Sequence, residues 1–290
     1  MINIQQTFLT IKATLYLVAT PIGNLSDLSF RAVEILRTVD YILTEDTRRA
    51  RILLNHYHLS NHLISLHRYN EKQKLTQLLE LLGKGKNLAL ISDAGTPLIS
   101  DPGLLLVREI QKAGFYVTTV PGASAFLAAF SLSTFSLPFI FFGFLPKKIK
   151  QKIQTLIKYR FWNETLIFYE SPKRILNTLI LLQKYYPQRK IALMRELTKK
   201  FETIMHGHIE EFIAQKFTCK GEYVLVIEGF TRNNDISYNN VEMDESILFW
   251  KNQGLTEKEI FNKLAKNYQF SKKDIYRKYK IQILEKEKDN

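Results

Sequence analysis

Short apolar runs alternate with amphipathic stretches along the first half of the chain. Leu15 to Ala19, Tyr41 to Leu43, Leu63 to Leu66, Leu88 to Ile91 and Tyr116 to Val120 each have the length of a buried strand. Between them, apolar residues recur at helical spacing. Leu28, Ala32, Ile35, Leu36 and Val39 make one such face, and Ser26 and Asp27 can cap it. Ile52, Leu53 and Leu54 mark a second helix, and Leu75, Leu78, Leu79 and Leu82 a third that stops at Gly83. A fourth runs from Pro102 to Gly114. Repeated strand–helix alternation predicts a parallel α/β sheet.

Beyond Pro121 the pattern changes. Strands are expected at Phe139 to Phe144, Thr165 to Tyr169, Ile191 to Met194, Glu202 to His206 and Tyr223 to Ile227. A basic helix spans Lys147 to Tyr159, another carries Leu176, Leu179 and Leu182, and a short one lies near Glu210 to Lys216. Strands crowded this closely suggest a mixed sheet in a second domain. From Phe230 to Asp244 the chain turns polar, as a linker does. Ile247, Leu248, Trp250, Leu255, Ile260, Leu264, Tyr268, Ile275 and Tyr279 then return to helical spacing, with Gly254 and Ser271 at turns. The expected fold class is α/β, with two α/β domains and a small helical appendage. The expected divisions are an arm at 1–13, domains at 14–137 and 138–229, a linker at 230–243 and the appendage at 244–290.

The polar residues gather just after the strands. Thr20-Pro21-Ile22-Gly23-Asn24, Ser92-Asp93-Ala94-Gly95-Thr96-Pro97 and Pro121-Gly122-Ala123-Ser124 are loops of small residues at strand ends. Ligands of open α/β sheets bind beyond the carboxyl ends of the strands. Asp, Ser, Pro and Gly are also ordinary turn formers, but three loops of one kind point to a shared pocket.

Charge narrows the class of partner. Forty-one Lys and Arg against 28 Asp and Glu leave a formal charge of +13. Such an excess points to a polyanion, with nucleic acid the leading case. Lys147, Lys148, Lys150, Lys152, Lys158 and Arg160 form a run without an acid, and Arg48, Arg49 and Arg51 form another cluster. No apolar run reaches the roughly 18 residues of a membrane span. A signal peptide is not evident at the amino terminus, and the single cysteine, Cys219, excludes an internal disulfide. The expected location is the cytoplasm.

Several chemistries lack their signatures. Gly83-Lys84-Gly85-Lys86 does not have the spacing of a phosphate loop, and G-x-G-x-x-G and G-x-S-x-G are absent. His206 and His208 share one face of a strand without a third ligand in sequence, so no metal is expected. What remains is an uncharged or zwitterionic ligand held mainly by backbone. That suits an adenosyl cofactor better than a triphosphate.

These residues carry a resemblance. Ala19-Thr20-Pro21-Ile22-Gly23-Asn24, Thr44-Glu45-Asp46-Thr47-Arg48, Leu66-His67-Arg68-Tyr69-Asn70-Glu71, Ser92 to Pro97, Val120 to Ala125 and Phe168-Tyr169-Glu170-Ser171-Pro172-Lys173-Arg174 occur in order. Together they resemble the branch of the tetrapyrrole methylase superfamily that methylates small-subunit ribosomal RNA. The resemblance implies two α/β domains with S-adenosylmethionine in the cleft between them, and a homodimer. It also implies methyl transfer to the ribose 2′-hydroxyl of a cytidine in the decoding region of the 30S subunit. By matched position, the implied cofactor contacts are Pro21, Ala94, Gly95, Thr96, Ile99, Ser124, Ala125, Glu170 and Leu197. At Glu170 this chain departs from tetrapyrrole-modifying relatives, which more often place an apolar residue there.

A ribose hydroxyl is a poor nucleophile until its proton leaves, so a base or a charge that steadies the alkoxide is needed. Asp46, Glu71 and Asp93 are candidate bases, and Arg48, Arg174 and Arg195 are candidate cations. The plainer role for Asp46 is a helix cap, and for Arg195 with Glu196 a structural pair. Two other functions fit parts of the pattern. A precorrin-type tetrapyrrole methylase would share the fold but needs no broad basic surface. A non-catalytic RNA-binding protein on the same fold would not bind S-adenosylmethionine.

Overall fold

The structure is a computed structural model. It describes residues 4–7, 9, 12–215, 217–218, 220–231, 240–268, 271, 273 and 275–276, without the side chains of 240–245 and 266–268. Expectations for Cys219, Tyr279, part of the arm and most of the linker lie outside the described residues.

Two units emerge from the spatial proximity of the backbone. One comprises residues 1–134, 193–205 and 221–225, and the other 135–192, 206–220 and 226–290. In the first, strands β1 (Thr14–Val18), β2 (Tyr41–Thr44), β3 (His62–Ser65), β4 (Leu88–Ile91) and β5 (Tyr116–Val120) form a sheet of order β3-β2-β4-β1-β5. All four strand pairings are parallel, which agrees with the alternation read from the sequence.

Helices α1 (Phe30–Thr38), α2 (Thr47–His56), α3 (Glu71–Gly83), α4 (Leu104–Lys112) and α5 (Ala125–Ser133) connect or follow the strands. Alternate residues of each strand feed opposite faces. Val18, Ile42, Ala89 and Ile91 pack with Leu36 of α1 and Leu53 of α2. Leu15, Leu43, Leu88 and Leu90 pack with Leu78 of α3 and Leu106 and Ile110 of α4. Each fully buried Leu or Ile contributes roughly 1.5–3 kcal/mol relative to exposure. Because β1 and β4 are neighbours whose outgoing helices cover opposite faces, the sheet reverses its winding there. That is where open sheets hold ligands.

The second sheet has the order β6-β7-β10-β8-β9. Its strands are β6 (Phe139–Phe144), β7 (Thr165–Glu170), β8 (Lys190–Arg195), β9 (Thr203–His208) and β10 (Tyr223–Ile227). β6 and β7 are parallel, with a register shift at Gly143, whose φ of +70° only glycine adopts without strain. Glu196 N–H donates to Glu222 O and Glu228 N–H to Lys190 O, a pattern that makes β8 and β10 antiparallel. The sheet is therefore mixed. Its interior strands β8 and β10 are almost wholly buried, while β9 at the edge is largely exposed.

Helices α6 (Ile149–Tyr159), α7 (Ile175–Tyr185) and α8 (Ile209–Ile213) belong to the second unit. The appendage contains α9 (Asn240–Asn252) and α10 (Glu257–Tyr268). Ile247, Ile260, Phe261, Leu264 and Ile275 form its core, and Phe161 of the second unit packs against it. Among the described residues, no helix is long and apolar enough to cross a membrane.

Candidate cofactor and substrate site

The sheet order brings the three small-residue loops to one place, because β4, β1 and β5 are adjacent. The loops are tied together by hydrogen bonds. Thr20 N–H donates to Gly95 O at 2.9 Å and Gly95 N–H returns a bond to Thr20 O at 3.0 Å. Thr20 Oγ1 donates to Ser92 O at 3.0 Å, Ser92 Oγ to Gly95 O at 2.7 Å, and Thr96 Oγ1 to Ala123 O at 3.3 Å. Gly95 sits at φ +81°, which excludes a side chain without strain. Pro21 and Gly95 are buried, Thr96, Ser124 and Ala125 are half-buried, and Ala94 and Ile99 are exposed. Ser124 precedes α5 and makes no capping bond to it.

Leu197 joins this set. A Cβ on Gly23 would stand 2.8 Å from Leu197 O and 2.7 Å from Thr198 Oγ1, so the first loop lies against the turn between β8 and β9. Asn24 N–H donates to Thr198 Oγ1 at 3.0 Å, and Thr198 N–H to Glu202 at 2.7 Å. Thr198 has φ +65°, Glu196 +52° and Leu98, in the loop after β4, +70°. Positive φ is uncommon for such residues, most of all for β-branched threonine, and strain of this kind concentrates at functional sites. Sequence pattern does not reveal these positions, since Leu, Glu and Thr have no preference for that backbone.

Of the candidate acid–base residues, Asp46, Arg48 and Asp93 come together at the ends of neighbouring β2 and β4. Asp46 caps α2, accepting from Arg48 N–H at 2.9 Å. Its carboxylate also takes two bonds from the Arg48 guanidinium, at 3.2 and 3.0 Å. Those bonds hold the Asp46 carboxyl down at about 2. Asp93 accepts from Asp46 N–H at 3.3 Å and pairs with Arg49 at 3.4 Å. Glu71 plays a different part, since its Oε1 accepts from Leu106 N–H at 2.8 Å. It thereby caps α4, whose own N-cap is Gly103 and has no side chain to offer.

One carboxylate near this cluster stands out, although nothing in its sequence context marks it as catalytic. Burial, with the charges of Glu45 and Asp93 added, pushes Asp101 up to about 6. A proton acceptor works best with a pKa near the working pH. Asp101 meets that condition and Asp46 does not.

Glu170, a cofactor contact by matched position, sits in a buried polar network. Its carboxylate is fully buried, with Lys152 Nζ and Thr178 Oγ1 on one oxygen, each at 2.7 Å. Ser171 N–H and Arg174 Nη2 occupy the other, also at 2.7 Å. Four donors occupy the acceptor sites of this carboxylate, so a contact of Glu170 with a cofactor would come from its backbone or from packing. Arg174 and Lys152 are committed to the same network, and Arg160 is buried as well. The basic run around α6 thus turns two of its six cations inward.

Known proteins resemble this chain in sequence and fold. The profile of the tetrapyrrole (corrin/porphyrin) methylases matches residues 14–213. The ribosomal RNA small subunit methyltransferase I of Bacillus subtilis is 40% identical over 92% of this chain and 94% of its own length. Its namesake in Mycoplasmopsis pulmonis is 46% identical over 74% of this chain and 97% of its own. Among solved structures, uroporphyrin-III-C-methyltransferase from Thermus thermophilus superposes with a TM-score of 0.52 at 17% identity. That match covers 75% of this chain and 94% of the other, a likeness of fold alone. The chain belongs to the tetrapyrrole (corrin/porphyrin) methylase family, alongside the ribosomal RNA small subunit methyltransferase I proteins it matches over most of its length.

Proposed function

We propose that this protein is an S-adenosylmethionine-dependent methyltransferase that acts on the ribose 2′-hydroxyl of a cytidine in the decoding region of small-subunit ribosomal RNA. The observation that carries it is the tying of three small-residue loops into one rim at neighbouring strand ends. Pro21, Ala94, Gly95, Thr96, Ile99, Ser124, Ala125 and Leu197 are the residues that hold the cofactor. When bound, it supplies a sulfonium methyl group for in-line displacement, so alignment accounts for much of the rate. The ribose hydroxyl becomes nucleophilic as its proton passes to the Asp101 carboxylate. Arg48, fixed by Asp46, steadies the negative charge on the RNA, and Asp93 holds Arg49 and the Asp46 backbone in place. Glu71 contributes by fixing the start of α4.

The excess of positive charge favours RNA over a tetrapyrrole as substrate, and the names of the relatives point the same way. A homodimer, working in the cytoplasm where ribosomal subunits are, completes the reading. Small subunits from cells lacking the protein, incubated with it and S-adenosylmethionine, are expected to gain one cytidine 2′-O-methyl in the decoding region. Cofactor binding without any RNA methylation would overturn the RNA reading and favour a tetrapyrrole. Calorimetry showing no cofactor binding would favour a non-catalytic RNA-binding protein.

A further inference from the structure

The second unit carries a groove that the methyl-transfer site does not use. Its walls are Ile157, Lys158 and Phe161 to Glu164 after α6, Phe230 and Thr231 after β10, Trp250 of α9 and Lys263 of α10. It encloses about 1110 Å³, more than the roughly 300–1,000 Å³ of a pocket for one small ligand. The chain has two tryptophans, and both line this groove. Trp162 stands edge-on to Tyr159 at 4.7 Å with 38% of its surface exposed. Phe161 and Phe230 meet edge-to-face at 5.2 Å. Lys263 Nζ lies 4.4 Å from the centre of the Trp250 ring and Lys158 Nζ 5.1 Å from that of Tyr159.

Aromatic faces set among ammonium groups recognise unpaired nucleotides. Any base can stack on the ring, and the cations take up the phosphate charge. Among the described residues that line the groove, Glu164 is the one carboxylate. The exposed Lys147, Lys148 and Lys150 lie at or near the start of the same helix whose end supplies Lys158. A buried apolar segment of a protein partner would instead leave the two lysines facing apolar surface. A single metabolite would leave most of the groove empty. We infer that this groove is a second RNA contact, where unpaired bases of the substrate RNA stack on Trp162 and Trp250 while Lys158 and Lys263 neutralise its backbone. The inference rests on the ribosomal RNA reading and deepens it, because it assigns part of substrate binding to a surface formed by the second unit and its appendage.

The two tryptophans make the test direct. A short single-stranded RNA of mixed sequence, titrated into the full-length protein, is expected to quench tryptophan fluorescence. A duplex of the same length is expected to quench much less. Trp162→Ala should weaken binding of the single strand about ten-fold, in the range expected for loss of one stacked base, and Trp162→Phe should restore most of it. Lys158→Gln and Lys263→Gln should each flatten the salt dependence, by a slope of about 0.7 per lost phosphate contact on a single strand. Methylation of small subunits by Trp162→Ala should show a raised KM with kcat little changed. Unchanged calorimetric affinity for S-adenosylmethionine would show that the fold is intact. If single-stranded RNA causes no quenching, or Trp162→Ala binds it as the parent does, the groove is not an RNA contact. Methylation by the parent protein would still stand in that case. Failure of the parent protein to methylate subunits would instead remove the functional reading itself.

Discussion

Asp46 and Asp101 lie beyond neighbouring strands, yet their surroundings drive their acidities in opposite directions. Arg48 holds the first at about 2, whereas burial and like charges lift the second to about 6. Carboxylates separated in this way commonly divide roles, one staying charged and the other exchanging a proton. The sign of the stability effect follows. Folded Asp101 retains its proton above its ordinary value of 3.8, so its cost to the fold is absent at low pH and grows as pH rises from about 4 to about 6. Asp101→Asn is therefore expected to stabilise the protein near neutral pH by about 1–2 kcal/mol, after allowing for solvent screening. Melting curves of parent and variant should converge near pH 4, at roughly the ordinary carboxylate value. The same change should cut methyl transfer by about 10²–10⁴, the usual loss for a general base. Full activity in Asp101→Asn would move the proton elsewhere. Asp46→Asn is the companion measurement: asparagine caps as well as aspartate, so melting should hardly move while the release of Arg48 lowers kcat.

At the scale of elements, the contact of the first loop with the β8–β9 turn makes a sharp prediction. Gly23→Ala places a methyl group 2.7 Å from Thr198 Oγ1 and 2.8 Å from Leu197 O, and closer still to Lys199 Cγ. A backbone oxygen cannot swing aside, so the turn must shift, at a cost of about 1–3 kcal/mol. Calorimetry should show S-adenosylmethionine affinity falling about ten-fold, the equivalent of about 1.4 kcal/mol. Gly83→Ala, with open space around its Cβ, should leave both affinity and stability intact. A second prediction concerns the link from α6 to β7. Lys152→Met leaves Glu170 buried without one of its two cations, and loss of such a partner costs about 3–5 kcal/mol. Chemical denaturation would measure it. These elements also show what can be read from a sequence. Strand positions are legible because runs such as Leu88 to Ile91 are apolar on both faces, and the cap at Asp46 because it immediately precedes a helical face. The start of α4 is less so: it begins at Leu104 rather than Pro102, since Gly103 at φ +121° cannot be helical. The inward turn of Lys152 is hidden, because its partner Glu170 is on another element and only packing pairs them. The capping role of Glu71 is hidden for the same reason, as the N–H it caps belongs to a helix 35 residues on.

For the whole molecule, the consequential surface is that of α5. Ala125-Phe126-Leu127-Ala128-Ala129-Phe130 is apolar at every position, yet the helix buries only Ala129 and Ser133 and leaves Leu127 46% exposed. A helix apolar on all sides normally lies inside a core or against a partner. It also begins at Ser124 and Ala125, two of the proposed cofactor contacts, so whatever covers it also steadies that rim. In the proposed homodimer a second copy of the chain would cover it, since like surfaces meet about a two-fold axis without needing opposite charge. The protein as a whole carries +13, which opposes self-association unless apolar burial outweighs it. Leu127→Glu adds a carboxylate at the centre of that face while leaving the helix interior untouched. Sedimentation of the parent should then give the mass of a dimer and the variant that of a monomer, with raised salt strengthening the parent's association by screening its charge. If parent and variant sediment alike, α5 is not the contact, and the order at Ser124 and Ala125 must come from within one chain.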